Sequence, residues 1–524
     1  MNKDVFRILL QYNNEERLMN ERKKGVILSY IQVVTSVLVN IVYVPLLLSS
    51  LGKGEYGLYQ LVGSFFSYVN IFESCMSSAV LRNYCNALGE NDKVKANQIL
   101  YAAKKIYQFF AIVLAILGVI VIVVFRRFYF NSLNSFEIEE GSLILVVLFF
   151  NMFVTLLGSV YTTIIMGGEK FVFLKASSIA TQIIQPFLVI YMINRFPYAI
   201  IVTLVFTFLN ICNIIIRYVY SKKKIIIIEK CTNIDKKIIY SIITLSFTVL
   251  FASIADQIFW KTDQVILGKL FSTSIVAVYS VGSQIYMIYL QFGMQVANVF
   301  YPRLSVLYSQ DDGLRKVSDL FIKVGRVTYY IILLILTGFI IFGKEFLEFW
   351  VGTGYNEAYY VAIIVMVPFS IDLAQNLALP ILQILGQYGF RAKIYFVSAI
   401  LNIIITVLLA MQFGVVGAAL STGISMALTS GLIMNLYYKL KTGLDIKRYW
   451  SQSLPIISSA SLLTIFMLFI KNIFALHISN IIWLGFFVVI YVAIYFLVMY
   501  VFVMNIEERK LISSIMCSML PYSK

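Results

Sequence analysis

From Val26 almost to the C-terminus the chain is a succession of apolar stretches about twenty residues long, a pattern that suits membrane-crossing helices. A spanning helix needs roughly 20 apolar residues to cross a hydrocarbon layer about 30 Å thick. No water is present there to satisfy backbone N–H and C=O groups, so only helices and closed barrels span it. The runs here are too long and too continuously apolar to be alternating barrel strands. Composition agrees: 60% of the residues are hydrophobic and 13% charged, against about 45–50% and about 25% in soluble domains. A water-soluble chain of 524 residues could not hide this much apolar surface.

The runs predict fourteen helices, at about 26–48, 57–81, 103–125, 142–166, 171–193, 198–220, 238–260, 275–300, 326–342, 358–385, 392–411, 416–437, 453–470 and 481–504. Orientation follows from the basic residues, which gather on the cytoplasmic side of a membrane. With the N-terminus placed inside and the connections alternating, 34 of the 42 Lys and Arg residues fall inside. The eight outside are Lys53, Arg126, Arg127, Arg195, Lys261, Lys269, Lys344 and Lys471. Moving one span would scramble this split, so both termini are expected in the cytoplasm. The net charge of +16 is thereby explained without nucleic acid. The polar stretch before Gly25 is too long, and the first apolar run too unbroken, for a cleavable signal peptide. Within that tail, Val5–Leu10 followed by Glu15, Glu16 and Arg17 reads either as an anchored basic tail or as a short surface helix.

The two halves repeat. LGKGEYGLYQLVGSFF enters the second helix and LFSTSIVAVYSVGSQIY the eighth. Tyr59 and Tyr279, Arg82 and Arg303, Asp92 and Asp312, and Gly167 and Gly386 pair at offsets of 219 to 221, each at the same point of the topology. Each half holds six helices and starts inside, so the halves are related by an axis along the membrane normal. The expected architecture is therefore an all-α polytopic membrane protein with two six-helix lobes around a central cavity, plus two extra C-terminal helices. Its parts are a cytoplasmic tail (1–25), an N-lobe (26–220), a linker (221–237), a C-lobe (238–440), helices thirteen and fourteen (453–504) and a cytoplasmic tail (505–524).

The segments LGKGEYGLY, FWKTDQVILGKLFSTSIVAVYSVGSQI and FGVVGAALSTGIS resemble the polysaccharide-transporter branch of the MOP exporter superfamily, over essentially Gly25 to Leu440. That superfamily also holds the lipid II flippases and the MATE drug antiporters. The resemblance implies a flippase that carries undecaprenyl-pyrophosphate-linked sugar units from the inner to the outer leaflet of a bacterial cytoplasmic membrane, for O-antigen, capsule or teichuronic-type polymers. Implied partners are the lipid-linked oligosaccharide, membrane lipids, and the polymerase and glycosyltransferases of the same pathway. Fourteen spans match flippases, whereas typical MATE antiporters have twelve.

Ionisable groups within spans cost at least about 2.5–3.5 kcal/mol at a helix centre, and they usually face a cavity or one another. For a pyrophosphate-bearing substrate, Arg82, Arg303 and Lys175 are the candidate phosphate contacts, since arginine grips phosphate oxygens in bidentate fashion. The positive-inside rule alone also accounts for Arg82 and Arg303. Asp256, Lys261 and Asp263 lie near the outer end of helix seven. The two aspartates are seven residues apart and share a face, as an ion pair with Lys261, as a cation- or proton-coupling site, or as a late contact for the glycan. Glu73 and Asp372 sit deeper, as candidates for protonation during transport or as carboxyls bonded to a neighbouring helix. Pro186, Pro368 and Pro380 are candidate hinges, with helix ten the one most open to interruption. No cofactor is expected; the driving force stays open among a proton gradient, a sodium gradient, the membrane potential and none. The five scattered cysteines and the lone His477 form no metal-ligand pattern, and neither a Walker loop nor HExxH occurs. Two other readings stay open: a MATE-like antiporter of drug or metabolite cations, and a membrane polymerase or glycosyltransferase, which would need larger outer loops.

Overall fold

The computed structural model describes residues 3–225, 228–231, 235–308, 310–473, 478 and 480–510; His477 and Cys517 lie outside them. Among the described residues there are helices and connections and no strand. The helices are α1 (Lys3–Gly89), α2 (Lys93–Tyr129), α3 (Ser135–Gly167), α4 (Phe171–Ile193), α5 (Ala199–Lys224), α6 (Lys236–Leu270) and α7 (Thr273–Tyr308). They continue with α8 (Gly313–Val351), α9 (Asn356–Ala374), α10 (Ala378–Ile384), α11 (Tyr388–Met426), α12 (Met434–Tyr437), α13 (Ile446–Ile473) and α14 (Ile481–Val498). Wider π-helical turns at Ala427–Ile433, Tyr438–Thr442 and Met499–Val503 extend α11, α12 and α14.

Among the described residues, eleven helical stretches are long and apolar enough to cross a membrane. Two of them are double. α1 bends at Gly52 (φ 77°) and α11 at Gly414 (φ 59°), left-handed conformations that cost glycine little. The loops expected near residues 49–56 and 412–415 are therefore kinks, not open connections. α6, which carries Asp256, Lys261, Asp263 and Lys269, is outside the eleven. With α6 counted and both bends divided, the helices are consistent with fourteen spans.

The chain forms two compact units, Met1–Ala277 and Val278–Lys524. In the first, α3 packs against α1, α2 and α5, and α6 packs along α1. The segregation on α2 shows why these sequences make lipid-embedded helices. Its small residues Ala102, Ala103, Ala111 and Gly118 are buried, whereas Ile112, Ile116, Val119 and Val123 are exposed. Without a hydrophobic drive between helices in lipid, small residues allow close packing and large aliphatic ones meet the acyl chains. Gly57 belongs to the same logic, because a Cβ there would lie 1.7 Å from the Thr273 carbonyl oxygen at the start of α7. In the second unit, α8 contacts α9, α13 and α14, and α9 packs on α11.

The repeat is visible at matching places in each unit. Asp92 caps α2, its side chain accepting the Lys95 N–H at 2.9 Å, and Asp312 precedes α8. The caps differ in detail, since Asp312 takes a left-handed backbone and makes no side-chain cap. The span expected over 358–385 is interrupted after Ala374, six residues beyond Pro368. α9 stops at Ala374, and α10 begins at Ala378 with Pro380 in its first turn, where a missing N–H costs nothing. Pro186 and Pro368 lie inside α4 and α9.

Candidate functional site

Each unit buries a polar network in its interior, and each network contains one acid–arginine combination. In the first unit, Glu73 of α1 accepts a hydrogen bond from the Ser159 hydroxyl of α3 at 2.6 Å. Arg217 of α5 is close enough to act electrostatically on that carboxylate. Its guanidinium also donates to Thr162 at 3.2 Å and Ser178 at 3.5 Å, while its Nε has no hydrogen-bond partner among the described residues. Toward the other end of α3 and α5, Asn210 bridges Asn151 and Thr155, both at 2.7 Å, and Asn151 reaches Thr207 at 3.1 Å. Four helices are thus linked through side chains that hydrocarbon could not satisfy.

The second unit's network forms where two backbone irregularities meet. The break between α9 and α10 places Asp372 and Gln375 beside the π-helical turn that holds Ser430. Asp372 Oδ1 accepts from Tyr395 at 2.7 Å and Ser430 at 2.9 Å, and Arg391 approaches it at 3.5 Å. Arg391 also lies 4.6 Å from the centre of the Tyr395 ring. One residue turn further, Gln375 and Asn435 exchange hydrogen bonds at 2.8 and 3.1 Å, and Trp450 donates to Asn435 at 2.9 Å. Non-helical backbone at membrane depth survives only where protein or a cavity satisfies it, and π turns concentrate at functional sites. A separate cluster joins Asn402 and Thr406 of α11 to Ser421 beyond the Gly414 bend, at 3.1 and 2.9 Å.

Two further charged groupings lie at the helix ends. Glu55 and Glu140 accept the adjacent Ala199 and Ile200 N–H groups at the start of α5, at 2.8 and 3.1 Å, and their carboxyls stand against one another. In the second unit Arg326 pairs with Glu508 at 2.7 Å, both side chains being less than a tenth exposed. Tyr330 completes this group by donating to Glu508 at 3.0 Å. Burial alone would raise the Glu508 carboxyl, but the Arg326, Asn505 and Tyr330 hydrogen bonds outweigh it and hold it below its ordinary range.

The sequence candidates divide accordingly. Glu73 and Asp372 are the acids of the two networks. Arg82 and Arg303 are exposed near the ends of α1 and α7, and Lys175 donates to Gln32 at 3.0 Å. Lys261 is partly buried and Asp263 is buried, next to the Tyr68–Thr262 hydrogen bond of 2.7 Å. The Asp256 side chain lies outside the described residues. Sequence reasoning did not single out Arg217 or Arg391, which counted only as cytoplasmic cations. A signal existed for Arg217, a lone arginine inside the apolar run Ile214–Tyr220, one turn before Lys222. None existed for Arg391, which meets Asp372 only because the chain doubles back at Gly386.

Residues 22–308 match the profile of a family described as polysaccharide biosynthesis protein. A probable low-salt glycan biosynthesis flippase of Haloferax volcanii is 25% identical over 201 residues, 38% of this chain and 42% of that protein. A probable flippase of the same organism is 29% identical over 174 residues, 32% and 36% of the two chains. The chain thus spans less than half the length of either of these relatives. The lipid II flippase MurJ, in an inward closed conformation, has a similar fold, with a TM-score of 0.68 and 16% identity over 93% of this chain and 99% of that one. An inward-facing multidrug resistance MATE family transporter of the MOP superfamily gives 0.57 and 12% identity, over 81% and 99%. At these identities the likeness to solved structures is one of fold.

Proposed function

The chain belongs to the polysaccharide biosynthesis protein family of multi-pass membrane proteins, and from that premise we propose that it is a flippase for lipid-linked oligosaccharide. The family match over residues 22–308 is the observation that carries this reading. The two flippase relatives support it, and so does the fold likeness, which reaches further along the chain for the lipid II flippase (93%) than for the MATE transporter (81%).

The proposed substrate is an undecaprenyl-pyrophosphate-linked repeat unit, moved by alternating access from the inner to the outer leaflet of a cytoplasmic membrane. Both termini then face the cytoplasm, in keeping with the 34-to-8 division of basic residues. Exposed Arg82 and Arg303, with Lys175, meet the anionic pyrophosphate at the inner leaflet. Glu73 and Asp372 take up and release a proton, or exchange it for sodium, as their arginine partners change contacts. A buried acid beside an arginine suits this role, since the network rearranges when the acid is neutralised. Polymerase and glycosyltransferases of the same pathway would work on either side of the step.

Deleting the gene and analysing lipid-linked sugars tests the proposal. Complete lipid-linked units accumulate on the cytoplasmic face while the surface polymer disappears. Complete units reaching the outer face unpolymerised would refute it in favour of a polymerase. Unchanged sugar pools with altered drug sensitivity would favour the MATE-like antiporter.

A further inference from the structure

The first unit carries a groove of about 360 Å³ bounded by α2, α3 and α5. Val154 and Leu157 of α3 and Ile214 and Ile215 of α5 form its apolar walls. Gly158 makes its floor: a Cβ there would stand 2.6 Å from Ile214, so the missing side chain lets the two helices close beneath the groove. One end is polar. Tyr161 and Tyr218 meet there with ring centres 4.9 Å apart, and Lys104 of α2 lines the same end. Lys104 is exposed, and among the described residues no carboxylate pairs with it. Lys222 lies over the Tyr218 ring at 5.8 Å, which adds a second cation nearby.

We propose that this groove is a binding site for an anionic phospholipid, with one acyl chain against the apolar walls and the phosphate on Lys104. From Val154 to Tyr161 is seven residues, about 10 Å of helix, a length suited to part of an acyl chain lying along α3. A partner helix, about 10–12 Å across with its side chains, would need well over the groove's volume of about 360 Å³ along this length. A soluble anion would leave the apolar walls unfilled. Tyrosines place their rings in the apolar layer and their hydroxyls among the headgroups, and lysine extends its stem through apolar surroundings to a charged end. The charge selects the class: each lysine near the surface favours an anionic lipid by about fivefold. The bound chain touches the two helices that bear the Arg217–Thr162 hydrogen bond, whose residues are the sequence neighbours of Tyr218 and Tyr161. The inference rests on the membrane-spanning fold and is independent of the transported substrate.

The test is native mass spectrometry of the full-length protein in mild detergent, titrated with phosphatidylglycerol or with phosphatidylcholine. Wild type retains phosphatidylglycerol more tightly. Lys104→Glu weakens phosphatidylglycerol about 25-fold, two charge steps, and leaves phosphatidylcholine nearly unchanged. Ile215→Trp, at an exposed position in the wall, fills the groove and weakens both lipids. Both variants sit at the lipid-facing surface, and an unchanged elution profile establishes that they fold. Equal retention of the two lipids by wild type, or a Lys104→Glu protein with wild-type selectivity, overturns the proposal. So does unchanged lipid retention by Ile215→Trp.

Discussion

Replacing Asp372 by Asn separates its structural role from its role in transport. The Asp372 and Arg391 side chains are 14% and 11% exposed, and the pair is 3.5 Å apart. Removing the carboxylate's charge leaves Arg391 buried without its counter-ion. Breaking such a pair from one side costs about 3–5 kcal/mol, whereas removing both charges is often close to neutral. The Asn side-chain oxygen still accepts from Tyr395 and Ser430, so those hydrogen bonds are kept and the loss is chiefly electrostatic. Asp372→Asn and Arg391→Gln should therefore each destabilise the protein by about 3 kcal/mol, and the double variant should recover most of that. Thermal unfolding of the detergent-solubilised protein reads the stability, and export of surface polysaccharide reads the function. The account expects the double variant to regain stability without regaining export, because the protonating carboxyl is gone. A double variant that restores both would reduce Asp372 to a structural ion-pair partner. Strictly additive losses would refute the coupling itself.

The other predictions concern different sites. Glu508→Ala should cost about 3–5 kcal/mol by stranding buried Arg326, as measured by thermal unfolding. Because the folded Glu508 carboxyl lies below its ordinary value, the pair's contribution is complete above pH of about 4.3 and is lost as pH falls through the folded value. Stability that rises on acidification in wild type but not in Glu508→Gln would contradict this. Gly57→Ala drives a Cβ to 1.7 Å from the Thr273 carbonyl and should lower the yield of folded protein sharply. Gly63→Ala, with nothing within 4 Å, should not. Glu140→Gln keeps an acceptor for the Ile200 N–H and lets the new amide donate to Glu55, so thermal stability at neutral pH should rise or hold; a loss above about 1 kcal/mol would show that the two carboxyls do not repel.

The membrane-spanning, all-helical class was legible because period and length of apolar runs are dictated by lipid itself. Asp92 and Asp312, separated by 220 residues, mark the same helix start in the two units, so the repeat could be read from spacing. Local chemistry was harder. Residues 49–56 fall between two expected spans, yet Gly52 turns a continuous helix there, while Gly57 permits a close approach, two different uses of a missing side chain. Glu73 and Asp372 stood out because charge is scarce in such runs. Their partners were harder: Arg217 left only the mark of a single cation within the apolar run Ile214–Tyr220, and Arg391 left none, since it meets Asp372 only where the chain turns back. The π turn at Ala427–Ile433 left no mark in the sequence, and Glu508 paired with Arg326 across 182 residues could be found only in three dimensions.

Translocation itself is measured most directly with the purified protein reconstituted into liposomes that carry a labelled lipid-linked oligosaccharide. A membrane-impermeant glycosidase or lectin reports how much glycan lies on the outer face. The account predicts that accessible glycan changes with time only when the protein is present, and that Glu73→Gln and Asp372→Asn slow the change. Equal rates with and without the protein would contradict the flippase assignment.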